Sequence, residues 1–186
     1  MEKLYIYQST EELPKQFEWQ IRTFLRILWF NANEDEYSEP ITSTEFHPVY
    51  FVLAGEDKLI ISYARIIWMS IIHLGETYKI YGLGDVFTFP ASRNKGFGKK
   101  VVSSATNYIR ADSDADVALL LTEPKLENFY QQSGWEYIPD LRLLTGEQRK
   151  LKLNSDFAMM MFLSQKAQHN RTNFQTQSVF LPGDEW

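Results

Sequence analysis

The chain has 186 residues, 44% hydrophobic and 15% aromatic, enough for one domain with a substantial core and too apolar for a disordered chain. It has no cysteine, which excludes disulfides, thiolate nucleophiles and cysteine-held metals. Its 24 acidic and 19 basic residues give a net charge of −5, which disfavours a nucleic-acid binder with a broad basic surface.

The opening MEKLYIYQSTEEL lacks the basic-then-apolar order of a secretory leader, and together with the missing cysteine this fits a cytoplasmic protein. Lys3 to Tyr7 reads as a short strand. Phe17, Ile21, Phe24, Leu25 and Leu28 recur at helical spacing and predict a helix from Pro14 to Phe30, with the proline in its first turn. Ser9 and Glu12 have the form of a capping box, but a helix starting there would carry Pro14 too deep. Asn31 to Pro40 is an acidic loop. Val49 to Ala54 and Leu59 to Met69 predict a hairpin around Gly55–Lys58. The most apolar stretch, LIISYARIIWMSIIHL, contains Arg65 and His73 and falls short of the ~20 residues that a spanning helix needs, so no membrane segment is expected.

Tyr78 to Phe89 predicts a third strand, interrupted by Gly82 and Gly84 as at a bulge. A helix follows over Lys99 to Arg110, then Val117 to Leu121, a continuous apolar run typical of a strand buried on both faces. Leu126 to Gln132 is a short helix stopped by Gly134, and Trp135 to Ile138 and Phe157 to Leu163 are late strands. From Ser164 the chain is rich in Gln, Asn and Thr, which sets a boundary between a domain over 1–163 and a polar tail over 164–186. A meander followed by strand–helix–strand–helix–strand predicts an α/β (α+β) fold. Its mixed sheet has the Val117 strand parallel to the Tyr78 strand and helices on the faces.

One stretch carries chemistry. PASRNKGFGKK, Pro90 to Lys100, follows a strand and opens a helix, and it gathers four basic residues in an acidic chain. Unpaired amides at a helix start, the helix dipole and two glycines make a cradle for a phosphate-type anion. It is neither a P-loop nor a dinucleotide fingerprint, and a plain solvated basic turn is the alternative.

Arg93-x-x-Gly96-x-Gly98 in that setting resembles the acetyl-coenzyme A signature of the GCN5-related N-acetyltransferase (GNAT) family. NFYQQSGWEYI, Asn128 to Ile138, is similar to the second motif of that family, and one buried strand separates the two motifs, as in the family. The resemblance implies a GNAT-like fold over Lys3 to Leu163, with acetyl-coenzyme A (acetyl-CoA) as co-substrate; the residue pattern itself gives no reason to expect a metal. By the same resemblance the backbone of Val86, Phe87 and Thr88 pairs with the pantetheine arm, and the backbone amide of Val86 or a neighbour polarises the thioester carbonyl. Gly82 or Gly84 supplies the bulge that admits the thioester. Arg93, Asn94, Lys95, Gly96, Phe97, Gly98 and Lys99 hold the pyrophosphate, and Asn128 contacts the pantetheine or adenine side.

Tyr130 matches the family's general acid, which protonates the departing thiolate; otherwise it is a core residue beside Phe129. The base is Asp85 or Glu123. His47, His73 and His169 are scattered, without metal-ligand spacing, and read as loop or rim residues.

The acceptor implied is a small-molecule amine, drawn by the acidic loop that contains Glu34 and Asp35; the alternative for that loop is a solvated charge run. The SGW after Tyr130, the IISYARII strand and the terminal Gly-Asp-x-Trp also resemble aminoglycoside 2′-N-acetyltransferases, which would give Asp184 and Trp186 drug contacts and place the tail near the acceptor. Here the chain departs from that group's pattern, with Gly84 where a strand glutamate stands and Asp85 one position off. The rivals are a non-catalytic acyl-CoA sensor of the same fold and a protein or peptide N-acetyltransferase. No nucleic-acid or membrane partner is expected, and a homodimer is compatible with the aromatic late strands.

Overall fold

The computed structural model describes residues 1–28, 41–146 and 151–183. The chain is a mixed α/β protein; among the described residues its main sheet has the strand order Lys3–Tyr7, Val49–Ala54, Ile60–His73, Glu76–Thr88, Val117–Thr122, Phe157–Phe162, Glu136–Tyr137, and a second sheet has the order Val179–Pro182, Leu143–Gly146, Lys152–Asn154. Packing divides it into two units, Met1–Ile67 with Asp85–Ala105 and Trp68–Gly84 with Thr106–Trp186.

The first unit holds β1 (Lys3–Tyr7), α1 (Lys15–Leu28), β2 (Val49–Ala54), most of β3 (Ile60–His73), the end of β4 (Glu76–Thr88) and the start of α2 (Phe97–Ala111). β1 pairs antiparallel with β2, and β2 with β3. α1 begins just after Pro14, as its spacing predicts. Ser9 and Glu12 do form cap-like bonds, Glu12 N–H to Ser9 Oγ and Gln8 N–H to a Glu12 carboxylate oxygen, but these close the turn before the helix. The helix lays Phe17 and Ile21 against Tyr50, Val52, Tyr63 and Phe87. Burying such side chains stabilises by roughly 1.5–3 kcal/mol each.

The second unit holds the rest of β3, β4 and α2, then β5 (Val117–Thr122), α3 (Glu127–Gln131), β6 (Glu136–Tyr137), β7 (Leu143–Gly146), β8 (Lys152–Asn154), β9 (Phe157–Phe162), α4 (Gln165–His169), α5 (Arg171–Thr176) and β10 (Val179–Pro182). β5 runs parallel to β4 from Ile80↔Val117 to Gly82↔Leu119 and pairs antiparallel with β9 along its whole length. The boundary expected at Ser164 is not where this unit ends its packing. Ala167, Phe174, Val179 and Leu181 fill its core, and β10 pairs in parallel with β7. Among the described residues no helix is long and apolar enough to cross a membrane.

His73 corrects the rim assignment. It is 4% exposed, stacked 4.6 Å from Phe174, and its Nε2 has no hydrogen-bond partner. Burial lowers its pKa, against a smaller upward pull from its bond to the Asn173 backbone. The unfolded chain therefore binds a proton more readily than the folded one, so stability should fall as pH drops below the ordinary histidine value of about 6.5. Urea midpoints measured across that range should slope in the parent and flatten in His73→Phe; equal slopes would remove His73 as the cause.

Candidate active site

In the first unit β4 runs into a turn that leads to α2. Asn94 (φ 61°) and Gly96 (φ 81°) are both left-handed, a conformation that Gly adopts freely and Asn tolerates. An ideal Cβ built at Gly96 meets no atom within 4 Å, so the backbone angle demands the glycine and the space beside it is open. Lys100 N–H bonds Gly96 O, which leaves the amides of Phe97, Gly98 and Lys99 in the unpaired first turn of a 15-residue helix. Arg93 Nε donates to Thr88 O and Lys95 Nζ to Ala91 O, so both side chains brace the turn while keeping their charge beside it. Arg93, Asn94, Lys95, Gly96 and Lys99 are exposed. These groups fit a pyrophosphate: open backbone, free amides, the positive helix end and three cations.

The preceding strand is firmly seated. Phe87 is buried against Tyr63 and Phe24, whereas Val86 and Thr88 are half-buried. Ser62 Oγ donates to Phe87 O at 2.9 Å, and Phe89 N–H bonds Ile61 O. Asp85, not Gly82 or Gly84, carries the left-handed backbone (φ 54°). Its carboxylate takes the Arg65 Nε at 2.8 Å.

In the second unit α3 carries Asn128 and Tyr130. Asn128 is exposed. Tyr130 is 6% exposed; burial pushes its phenol up to about 12, with a smaller downward pull from its bond to the Thr122 side chain. Thr122 also lines a cavity of about 500 Å³ with Glu123, Tyr137, Asp140, Asp156 and Phe157. Glu123 is exposed and ion-paired with Lys125.

The rest of the second motif is structural. Gly134 (φ 87°) has the Arg110 guanidinium where a Cβ would stand, and Arg110 donates to Ser133 O at 3.0 Å. Trp135 is buried and donates from its indole N–H to Thr106 Oγ1.

The first unit thus joins Asp85, Val86, Phe87, Thr88 and the Arg93–Lys99 turn in one continuous stretch, and the second unit carries Asn128, Tyr130 and Glu123. Glu34, Asp35, Asp184 and Trp186 lie outside the described residues. The sequence assigned no site role to Arg65, Tyr63, Thr42 or Thr122. Strand alternation already put Tyr63 and Arg65 on one face, and only the partner of that face was missing. Among the described residues no group of three or more His, Cys, Asp or Glu is placed to hold a metal ion.

The family model described as an acetyltransferase (GNAT) domain matches residues 6–138. No curated protein matches the sequence. Several solved structures share the fold. Escherichia coli ElaA is 16% identical with a TM-score of 0.61, over 86% of this chain and 99% of that one. The E. coli GNAT family N-acetyltransferase YhbS, solved in complex with CoA, is 13% identical with a TM-score of 0.61, over 99% and 90%. Arabidopsis thaliana NAA60, solved with a bisubstrate analogue, is 10% identical with a TM-score of 0.61, over 87% and 100%.

Proposed function

The chain belongs to the GNAT family of N-acetyltransferases, and on that premise we propose that it moves an acetyl group from acetyl-CoA to the primary amine of a small cationic molecule, with aminoglycosides as the first class to try. The observation that carries this reading is the left-handed Asn94–Gly96 turn set against the unpaired amides of α2. The CoA bound by E. coli YhbS lends it support.

The co-substrate would supply the activated acetyl thioester. The turn binds the pyrophosphate through the amides of Phe97, Gly98 and Lys99 and the charges of Arg93, Lys95 and Lys99, and the backbone of Val86–Thr88 aligns the pantetheine arm. Asp85 is the carboxylate on the acceptor side and accepts the proton given up by the amine nitrogen. Tyr130 donates its phenolic proton to the departing sulfur. The nitrogen–carbon bond of an amide forms as the thioester C–S bond breaks, and the free thiol of CoA leaves: one proton leaves nitrogen and one reaches sulfur.

Titration with acetyl-CoA in a calorimeter at two salt concentrations tests the cradle. Saturable binding that weakens with salt is expected. Gly96→Val should weaken it roughly tenfold or more, since valine resists the left-handed backbone. Absent binding by folded protein would reduce the match to a shared fold, and the aminoglycoside screen would lose its basis.

A further inference from the structure

Three unfavourable features meet on one face of the first unit. Asp85 holds a left-handed φ of 54° despite its Cβ. Arg65 is 7% exposed, so its ion pair with Asp85 is largely withdrawn from water, where such pairs rarely outdo apolar residues of the same size. Tyr63 is fully buried and its hydroxyl has no hydrogen-bond partner. The register gathers them: Tyr63 and Arg65 are two apart on β3, and Tyr50 lies opposite Arg65 on β2. Strain, buried charge and an uncommitted donor at one place point to function rather than stability.

The pair is built facing outward. The Asp85 side chain is 21% exposed against 9% for Arg65, so the carboxylate is the member that a solute meets. Arg65 lies beneath, its Nη1 donating to the buried hydroxyl of Thr42. Among the described residues the phenols of Tyr63 and Tyr50 face the pair, both held neutral by burial, and Tyr50 is bonded to Thr10. α1 brings the apolar Phe17 and Ile21 to this face, and its Glu18 is paired with Lys15 and Arg22.

We propose that Arg65 is a positioning residue for acetyl transfer: it holds the Asp85 carboxylate turned outward, ready to accept an N–H of the acceptor amine. This rests on the reading of Asp85 as the acceptor-side carboxylate. The guanidinium fork, with one arm on Asp85 and another on Thr42, fixes direction as well as charge. A neighbouring cation favours the charged form of a carboxyl, and the charged form is the one that can take an amine's proton.

The test is the pH profile of kcat for acetyl transfer to kanamycin and to spermidine, on the full chain and on Arg65→Met, Arg65→Lys, Thr42→Val and Asp85→Asn. Arg65→Met should lower kcat roughly tenfold or more and move the acid limb up by about one pH unit or more. Arg65→Lys should bring the limb back, and calorimetry should find acetyl-CoA affinity unchanged throughout. A kcat loss in Arg65→Met with an unmoved limb overturns the proposal, and an inactive Asp85→Asn alongside it leaves the Asp85 reading standing. Full turnover by Asp85→Asn overturns both and passes the base role to Glu123. Should Arg65→Met fail to fold, Thr42→Val keeps the charge and loosens the fork; unchanged kcat there overturns the proposal. If neither amine turns over, carbon NMR of the Asp85 carboxyl decides. An upward move of its titration in Arg65→Met, reversed in Arg65→Lys, supports the role, and an unmoved one overturns it.

Discussion

Replacing Tyr130 with phenylalanine should lower kcat roughly 10²-fold or more while leaving acetyl-CoA affinity unchanged. The phenyl ring fills the same 6%-exposed site and keeps the edge contact with Phe129. Only the hydroxyl and its bond to Thr122 are lost, worth about 1 kcal/mol of stability. The fold should therefore persist, and the kinetic loss would report proton donation to the leaving sulfur. A phenol pushed up to about 12 by burial stays protonated across the working range, so Tyr130 itself should add no alkaline limb to the rate profile at ordinary pH. Full turnover in folded Tyr130→Phe at saturating acceptor would remove Tyr130 from the acid role and leave it as a core residue of α3.

Asp116→Ala should destabilise the protein by about 3 kcal/mol, a fall of roughly 6–12 °C in Tm for a chain of this size. The Asp116 carboxylate accepts from Lys79 N–H at 2.9 Å, Ser164 Oγ at 2.6 Å and Lys166 Nζ at 2.9 Å. Its backbone carbonyl takes Leu163 and Ser164 N–H, and Ser164 in turn caps α4 by accepting from Ala167 N–H. One side chain thus joins β4, the entry to β5 and the start of the C-terminal helices. Alanine would leave the Lys79 amide without the carboxylate that accepts from it and the Lys166 ammonium with its bond to Thr77 O but no paired charge.

Burial pushes the Asp116 carboxyl up, but the Ser164, Lys166 and Lys79 bonds outweigh it and hold the group below its ordinary value. Its contribution is therefore full above about pH 4 and lost as pH falls through the depressed folded value. Urea melts should give the parent a steeper acid-side loss than Asp116→Asn. Hydrogen exchange should quicken first over residues 165–182. Parent-like stability in Asp116→Ala would mean that the core residues of α5 and β10 hold the C-terminal segment unaided.

Local chemistry decides what the sequence alone determines here. The Arg93–Lys99 turn is legible because a glycine at a left-handed position and the amides of a helix start need no distant partner. α1 and β5 are legible from their spacing, since period and apolar run length reflect a nearby core. Sequence alone also put Tyr130 beside a glycine-aromatic stop, and the structure explains that stop by the Arg110 guanidinium against Gly134 and the indole of Trp135 on Thr106.

Tertiary structure decided the rest, wherever a residue's state depends on one far along the chain. The strained position in β4 is Asp85 rather than a glycine, and it faces Arg65, twenty residues earlier. His73 ends an apolar strand where a lone histidine reads as a rim residue, yet its ring stacks on Phe174. The polar composition after Ser164 hid Ala167, Phe174, Val179 and Leu181 because two helices of five and six residues are too short to display a period, and β10 acquires its strand character by pairing with β7. Backbone angle and helix-end charge are properties of neighbouring residues and can be read from the chain. Burial, ion pairing and edge-strand pairing belong to residues that meet only when the chain has folded.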